Sequence, residues 1–281
     1  MEQRQVSGEM LERFVQALRC DERAEGTVEK YCRDVAGFVA WLDGRPVTAE
    51  TGAVWKSHLL EAGLAPVTVN SKLSALNSFF RFMGWTDCRV KFLRLQRRVF
   101  RDRERELDRV EYRRLVEEAR SRGQERLALL IETICATGIR VSEVRYITVE
   151  AVRAGRTDVS LKGKIRTVLL PGRLCRKLLK FAKKRRTAFG EIFVTKTGNS
   201  LSRRQIWREM KGLCQRAGVP PSKVFPHNLR HLFAVVFYRA SRDIVKLADL
   251  LGHSSINTTR IYLRTAGVEH ARQLEGLGLV T

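Results

Sequence analysis

The sequence lacks any apolar run that approaches the length of about 20 residues needed for a membrane-spanning helix. Its first residues, MEQRQVSGEMLERF, contain no apolar core of the kind found in secretion signals. Acidic residues are also scarce relative to basic ones. These features predict a cytoplasmic protein that has no membrane partner and acts where it is made.

Cysteines are present but show no pairing pattern. The six cysteines stand at positions 20, 32, 88, 135, 175 and 214, and no two form a C-x-x-C pair. This scatter matches neither a disulfide framework nor a zinc site, and it is typical of a reducing cytosol. A G-x-x-x-x-G-K-[ST] nucleotide loop is missing as well. We therefore expect no metal ion, no ATP and no other cofactor.

The charge balance gives the first positive indication of a partner. The 281 residues include 53 Lys and Arg against 30 Asp and Glu, a formal net charge of +23. So basic a surface attracts polyanions, of which nucleic acid is the commonest, although a generally basic, solvated surface has the same composition. Hydrophobic residues make up 44% of the chain, enough to build the cores of two domains.

Apolar residues recur at helical spacing through the first 88 residues, which predicts a small bundle of four helices. The predicted helices cover residues 10–18, a segment capped by Thr27 and ending near Asp43-Gly44, Thr48 to Gly63, and Pro66 to Gly84. The fourth helix carries a second face of short polar and cationic side chains, namely Asn70, Ser71, Lys72, Asn77 and Arg81. Such groups suit phosphates and base edges in a major groove, and they also suit a solvated outer face.

Residues 89–105, RVKFLRLQRRVFRDRER, are dense in arginine without a clear period and predict a basic connector. Asp108 and Glu111 form a capping signal at the start of a second domain, residues 106–281. Within it, two short strands flank the turn Lys162-Gly163-Lys164, and further helices are predicted at about 127–135, 174–185, 202–217, 228–240 and 244–251. The predicted fold class is therefore mainly α, with one small antiparallel sheet.

Four separate polar clusters in this second domain are candidates for chemistry. They are Arg140 with Glu143 in ATGIRVSEV, the Lys162/Lys164 turn, HNLRH at 227–231, and the segment from His253 to Tyr262. His227, Arg230 and His231 can share one helical face. Because Arg230 stands between the histidines, this face suits an anion better than a zinc ion, and a structural ion pair is the other interpretation.

With these motifs in this order, the chain resembles the tyrosine recombinase family of phage integrases and Xer-like site-specific recombinases. The resemblance rests on ATGIRVSE, the hairpin lysine, HNLRH and LLGHSSINTTRIYLR, with nine residues from His253 to Tyr262. The segment TVNSKLSALNSFFRFMGW also resembles the family's helical, SAM-like core-binding domain. A packing role for Tyr262, the more usual one for an isolated tyrosine, is disfavoured by the complete set.

The resemblance implies that Tyr262 attacks a DNA phosphodiester and forms a 3′-phosphotyrosyl link without ATP. Arg140 and Arg230 match the family's paired arginines, and His227 and His253 match its two active-site histidine positions. Lys162 matches the lysine that protonates the leaving group, with Lys164 on the same strand face as the reserve candidate. Glu143 and His231 are expected to support these groups.

The resemblance also implies partners. These are a double-stranded site with inverted half-sites and a homo- or hetero-tetramer assembled on DNA through the C-terminal tail, about 266–281, with possible accessory proteins. Two alternatives remain at this point. One is a type IB topoisomerase-like enzyme with the same active-site chemistry, and the other is a DNA-binding regulator that has lost catalysis.

Overall fold

The computed structural model describes residues 4–95, 103–161 and 164–263, which form two compact units on either side of the gap at 96–102. Both units are built mainly from helices, and the second contains a two-stranded antiparallel sheet. The predicted fold class is therefore confirmed. In the described part of the chain, no helix is both long and apolar enough to cross a membrane.

The first unit is a bundle of four helices, as predicted. These are α1 (Gly8–Cys20), α2 (Glu25–Leu42), α3 (Thr51–Glu61) and α4 (Pro66–Phe82), followed by a 3-10 turn at Thr86–Cys88. Its core is aromatic, and Phe14, Phe38, Phe79 and Phe80 are almost completely buried. Edge-to-face contacts such as Phe38 on Phe80, with ring centroids 5.8 Å apart, hold the helices together.

Two predicted helix starts are wrong by three residues or fewer. Helix α2 begins at Glu25 without a side-chain cap, so Thr27 lies inside its first turn rather than at its cap. Helix α3 begins at Thr51 instead of Thr48. There the Thr51 hydroxyl accepts a hydrogen bond from the Thr48 backbone N–H at 2.8 Å, which holds residues 48–50 in a turn before the helix.

Two asparagines of α4 bind the backbone that follows the bundle. The Asn77 side chain accepts from the Val90 N–H and donates to the Val90 carbonyl, both at 2.9 Å. Asn70, seven residues earlier, makes the same pair of bonds to Leu93. Residues 90–93, predicted as part of the connector, are thus fastened along α4. Asn77 is only 7% exposed, so its side chain has a structural role in place of the predicted DNA contact.

We expect Asn77→Ala to lower the free energy of unfolding of the first unit by about 2 kcal/mol, because it leaves two buried backbone groups of Val90 without partners. The measurement is urea unfolding followed by tryptophan fluorescence, since three of the four tryptophans lie in this unit. Exposed Arg81 provides the matched control, and Arg81→Ala should change stability by no more than about 0.5 kcal/mol. Unchanged stability in Asn77→Ala would contradict the structural role.

The second unit contains nine described helices and the hairpin. The helices are α5 (Arg109–Ser121), α6 (Glu125–Thr137), α7 (Val149–Ala154), α8 (Gly172–Lys184), α9 (Arg203–Lys211), α10 (Cys214–Ala217), α11 (Pro226–Ser241), α12 (Ile244–Leu251) and α13 (Ile256–Thr259). The strands are β1 (Arg156–Leu161) and β2 (Lys164–Leu169), paired from Arg156↔Leu169 to Leu161↔Lys164. Single 3-10 turns lie at Arg103–Arg105, Val141–Tyr146, Pro221–Lys223 and Arg260–Leu263.

Local signals explain several boundaries of the second unit. The predicted capping signal at Asp108 and Glu111 is present as a reciprocal pair of side chain to backbone bonds at the start of α5. The predicted helix 202–217 is instead two helices, α9 and α10, separated by a turn at Gly212-Leu213 whose dihedrals stay in the right-handed helical region. Helix α6 is apolar on almost every side and forms the centre of the core, which places its C-terminal end deep in the unit.

Candidate active site

The first candidate residue, Arg140, lies just beyond the end of α6. Gly138 ends that helix with a φ of +64°, and a Cβ at this position would lie 2.5 Å from Phe233. Only glycine both adopts this conformation easily and leaves space for that ring. The tight turn places Arg140 at the start of the next 3-10 turn, with 39% of its side chain exposed.

Glu143 anchors Arg140 through both its backbone and its side chain. Its carboxylate accepts from the Arg140 backbone N–H at 2.9 Å and from the Arg140 guanidinium at 2.8 Å. The side chain is only 1% exposed, and a second cation, Arg166 of β2, binds the same carboxylate. Burial by itself raises the pKa of Glu143, but the hydrogen bonds from the two arginines outweigh it and hold the pKa below its usual value.

The start of α11 carries His227, Arg230 and His231 on neighbouring positions of its first two turns. Arg230 is 3% exposed, and its guanidinium donates to the backbone carbonyls of Gly138 and Leu251. Burial, followed by repulsion from Arg140, lowers the pKa of Arg230 to about 10, so the group remains a cation at neutral pH. His231 is buried as well, whereas His227 is exposed.

Three arginines donate hydrogen bonds to backbone carbonyls at the C-terminal end of α12. Arg166 donates to the carbonyl of Leu250 at 2.7 Å, Arg230 to that of Leu251 at 2.7 Å, and Arg140 to that of Gly252 at 3.4 Å. The last carbonyls of a helix have no partner within it and carry partial negative charge. This helix end and the carboxylate of Glu143 therefore offset the repulsion between three neighbouring cations.

His253 follows directly in the turn after α12. Its Nε2 lies 3.1 Å from Nη2 of Arg230, and its Nδ1 lies 2.9 Å from the hydroxyl of the fully buried Thr259. Arginine can only donate, so Nε2 must accept and the neutral ring carries its proton on Nδ1. Burial, then repulsion from Arg230 and Arg140, lowers the pKa of His253 to about 4, in agreement with that neutral form.

Tyr262 lies in the 3-10 turn after α13 and is 5% exposed. Its ring stacks on His253 with an interplanar angle of 10° and a centroid distance of 5.8 Å. The rings of His231 and His227 lie at 5.2 Å and 6.3 Å. The Tyr262 phenol also favours the charged form of Arg230. The tyrosine therefore lies beside the guanidinium of its own chain.

These groups line a cleft of about 620 Å³. Its lining includes Arg140, His227, Arg230, His253 and Tyr262, which the sequence predicted as one site. Arg203 and Trp207 of α9 also line it and were not predicted, since neither belongs to a polar cluster in the sequence. Among the described residues, no group of three or more His, Cys, Asp or Glu side chains is arranged to hold a metal ion.

Several predicted residues lie outside this geometry. Lys162 falls outside the described residues, and of Lys164 only the backbone in β2 is described. The side chain of His231 is covered rather than open to the cleft, and its Nε2 lies 3.8 Å from a carboxylate oxygen of Glu106. Thr259, which binds His253, was missed because a single threonine in a short polar stretch carries no distinguishing signal.

We expect His253 to titrate near pH 4 in the free protein, well below the value of about 6.5 in an unfolded chain. Between these values the unfolded chain binds the extra proton, so this residue's contribution to stability is lost as the pH falls. The loss is about 2 kcal/mol between pH 7 and pH 5. The measurement is an NMR titration, with the resonance assigned by its loss in His253→Gln. A midpoint near 6.5 would contradict the buried, arginine-flanked environment.

Comparison with known families accounts for both units. The N-terminal SAM-like domain model of phage integrases matches residues 11–86, and the phage integrase family model matches residues 105–267. The chain is 32% identical to tyrosine recombinase XerD of Brucella suis biovar 1, over 90% of this chain and 91% of the relative. It is 28% identical to tyrosine recombinase XerA of Pyrococcus furiosus, over 99% of each chain.

Solved structures share the fold. The XerH site-specific recombinase bound to difH substrate superposes with a TM-score of 0.70 at 21% identity, covering 95% of this chain and 84% of that one. A lambda integrase tetramer bound to a Holliday junction gives a TM-score of 0.73 at 18% identity, covering 90% and 76%.

Proposed function

This chain belongs to the phage integrase family and is a tyrosine recombinase, and on that premise we propose that Tyr262 is its nucleophile. The observation that carries this proposal is the placement of Tyr262 against His253 and beside the buried guanidinium of Arg230, in a cleft that Arg140 also lines. Such a cleft offers a phosphodiester two cations and a hydroxyl at once.

In the proposed reaction, the Tyr262 oxygen attacks the scissile phosphorus of duplex DNA and loses its proton. The bond between phosphorus and the 5′-oxygen breaks, and that oxygen leaves as a hydroxyl after taking up a proton. The enzyme is then joined to the DNA through a 3′-phosphotyrosyl bond. The 5′-hydroxyl of a partner strand reverses the step, so the phosphodiester energy is kept and no ATP is needed.

Arg140 and Arg230 stabilise the charge that develops on the non-bridging oxygens. The guanidinium of Arg230 has five N–H groups, and its bonds to Gly138, Leu251 and His253 use three of them. Donors therefore remain for a phosphate oxygen while the group is held rigidly. Because the cations are fixed before DNA arrives, little reorganisation is needed in the transition state.

Proton transfer is assigned to groups other than the two arginines. We assign protonation of the leaving 5′-oxygen to Lys162, with Lys164 as the reserve, and assistance in proton movement to exposed His227. His253 donates to a phosphate oxygen once a proton lies on its Nε2, the atom that accepts from Arg230 before DNA binds. His231 orients Tyr262 by ring contact.

We assign DNA contact in the first unit to Ser71, Lys72 and Arg81 of α4. Arg81 is exposed, and Lys72 is held 3.5 Å from the buried carboxylate of Asp34, which also binds Lys30 at 2.6 Å. One carboxylate shared by two lysines leaves a net positive charge on this face, as a phosphate contact requires. Asn70 and Asn77 are left out of this set because both bind backbone.

The proposed partner is a duplex site with inverted half-sites, occupied by a homo- or hetero-tetramer at the nucleoid. Residues of about 266–281, which lie outside the described residues, are proposed to pass between neighbouring protomers, and accessory proteins are proposed as further partners. The XerH and lambda integrase structures are themselves complexes with DNA, and the latter is a tetramer. Neither a topoisomerase nor a silent regulator is favoured over recombination.

The test is a nicked duplex carrying candidate sites from the flanks of the gene. The nick lets the short 5′-hydroxyl strand diffuse away after cleavage, so the covalent adduct accumulates. We expect an adduct on one such site and none on a duplex with a scrambled half-site. Adducts on no flanking sequence would contradict the proposal, and relaxation of any supercoiled plasmid would favour the topoisomerase.

A further inference from the structure

Arg166 is a charged residue on the buried face of strand β2. It pairs across the hairpin with Val159 and precedes Val168 by two positions, and both valines are buried. Side chains alternate along a strand, so Arg166 points toward the core, and only 12% of its side chain is exposed. A cation in such a position must have strong partners to be tolerated.

Those partners belong to two other elements. The Arg166 guanidinium binds the buried carboxylate of Glu143 at 2.5 Å and the carbonyl of Leu250 at 2.7 Å. Its aliphatic part fills the space beside Gly252, where an added Cβ would come within 2.2 Å of the Arg166 Cδ. One side chain therefore joins the hairpin to the carboxylate that holds Arg140 and to the turn that leads into His253.

Arg166 does not itself line the cleft, whose described lining is formed by other residues. Its effect on the reaction must therefore pass through the groups that it holds. The element most dependent on it is the hairpin, because a two-stranded hairpin has little stability of its own. Lys162 precedes Arg166 by four residues in the sequence, between the two strands of this hairpin.

We propose that Arg166 is a positioning residue that fixes the strands β1 and β2, which flank Lys162 in the sequence, against Glu143 and the turn before His253. This inference rests on the proposed function, in which Lys162 protonates the leaving 5′-oxygen. Without Arg166 the two strands lose their polar attachment to the arginine site, and the proton donor is no longer supported by strands fastened to that site.

The test compares Arg166→Met with Lys162→Ala on two substrates, one ordinary and one with sulfur in place of the bridging 5′-oxygen. A thiolate leaves without taking up a proton, because a thiol is far more acidic than an alcohol. We expect Arg166→Met to slow cleavage of ordinary DNA by about 10²-fold. On the sulfur substrate most of that loss should disappear, as it should for Lys162→Ala, while DNA affinity is unchanged.

The matched control is Arg156→Met, an exposed arginine at the far end of the same hairpin, which should cleave both substrates normally. Hydrogen exchange of the full-length variants provides a second measurement in case the overall stability of a variant falls. The β1–β2 amides should exchange faster in Arg166→Met and at the normal rate in Arg156→Met. Arg166→Lys, which keeps the charge but not the two-pronged geometry, should show a smaller defect of the same kind.

Equal losses on both substrates for Arg166→Met would overturn the inference, whatever Lys162→Ala does, and so would unchanged exchange of the hairpin. Failure of the proposed function would look different. In that case Lys162→Ala would show the same loss with oxygen and sulfur, or the wild-type protein would form no adduct with either substrate.

Discussion

Tyr262→Phe is expected to abolish covalent capture of DNA while leaving DNA binding and folding intact. The phenyl ring keeps the stacking on His253 and the contacts with His227 and His231, because those involve the ring rather than the hydroxyl. Only the attacking oxygen is removed. The measurement is the yield of protein–DNA adduct on the nicked duplex, alongside a binding titration.

Tyr238→Phe is the matched control, since Tyr238 packs against the same small cluster of buried residues that includes Tyr262. It should form the adduct at the wild-type rate. Adduct formation by Tyr262→Phe would show that another residue is the nucleophile. A loss of DNA binding in the same variant would instead assign Tyr262 a structural role.

Arg230→Lys is expected to lower the single-turnover cleavage rate by about 10³-fold or more, the range found when an arginine that stabilises phosphoryl transfer is lost. Lysine keeps the charge but lacks the planar fork, so it cannot bind two helix ends, His253 and a phosphate oxygen together. It also leaves carbonyls at Gly138 or Leu251 without their donor, at about 1–3 kcal/mol each.

Stability must therefore be measured beside the rate, and cleavage compared at a temperature where the variant is folded. Arg239→Lys, at an exposed position near the end of the same helix, should leave both quantities unchanged. A folded Arg230→Lys that cleaves within about tenfold of wild type would show that a simple cation suffices. The fixed geometry of Arg230 would then make no contribution to the cleavage rate.

The parts of the fold that follow from periodicity were predictable from the sequence. The apolar stripes of the first unit predict its four helices, and the spacing within HNLRH brings His227 and Arg230 to the same cleft. Helix starts such as that of α3 were less so, since the Thr51 hydroxyl accepts from the Thr48 N–H and the helix begins three residues later than predicted. Short polar side chains suit several positions in a turn equally well.

Long-range pairing explains the remaining differences. Asn77 is a plausible DNA contact in the sequence, because nothing there shows that residue 90 returns to α4. Arg166 was overlooked, although a charged residue on the buried face of an alternating strand is a usable signal. The convergence of three arginines on successive carbonyls of α12 depends on the meeting of α6, α11, α12 and β2, which no local pattern indicates.

The most direct test that the Tyr262 oxygen forms the bond to DNA is mass spectrometry of the trapped adduct after digestion by a protease and a nuclease. We expect a nucleotide phosphate on the peptide that contains Tyr262, attached to the tyrosine oxygen. Attachment to any other residue, or recovery of that peptide unmodified from purified adduct, would contradict it.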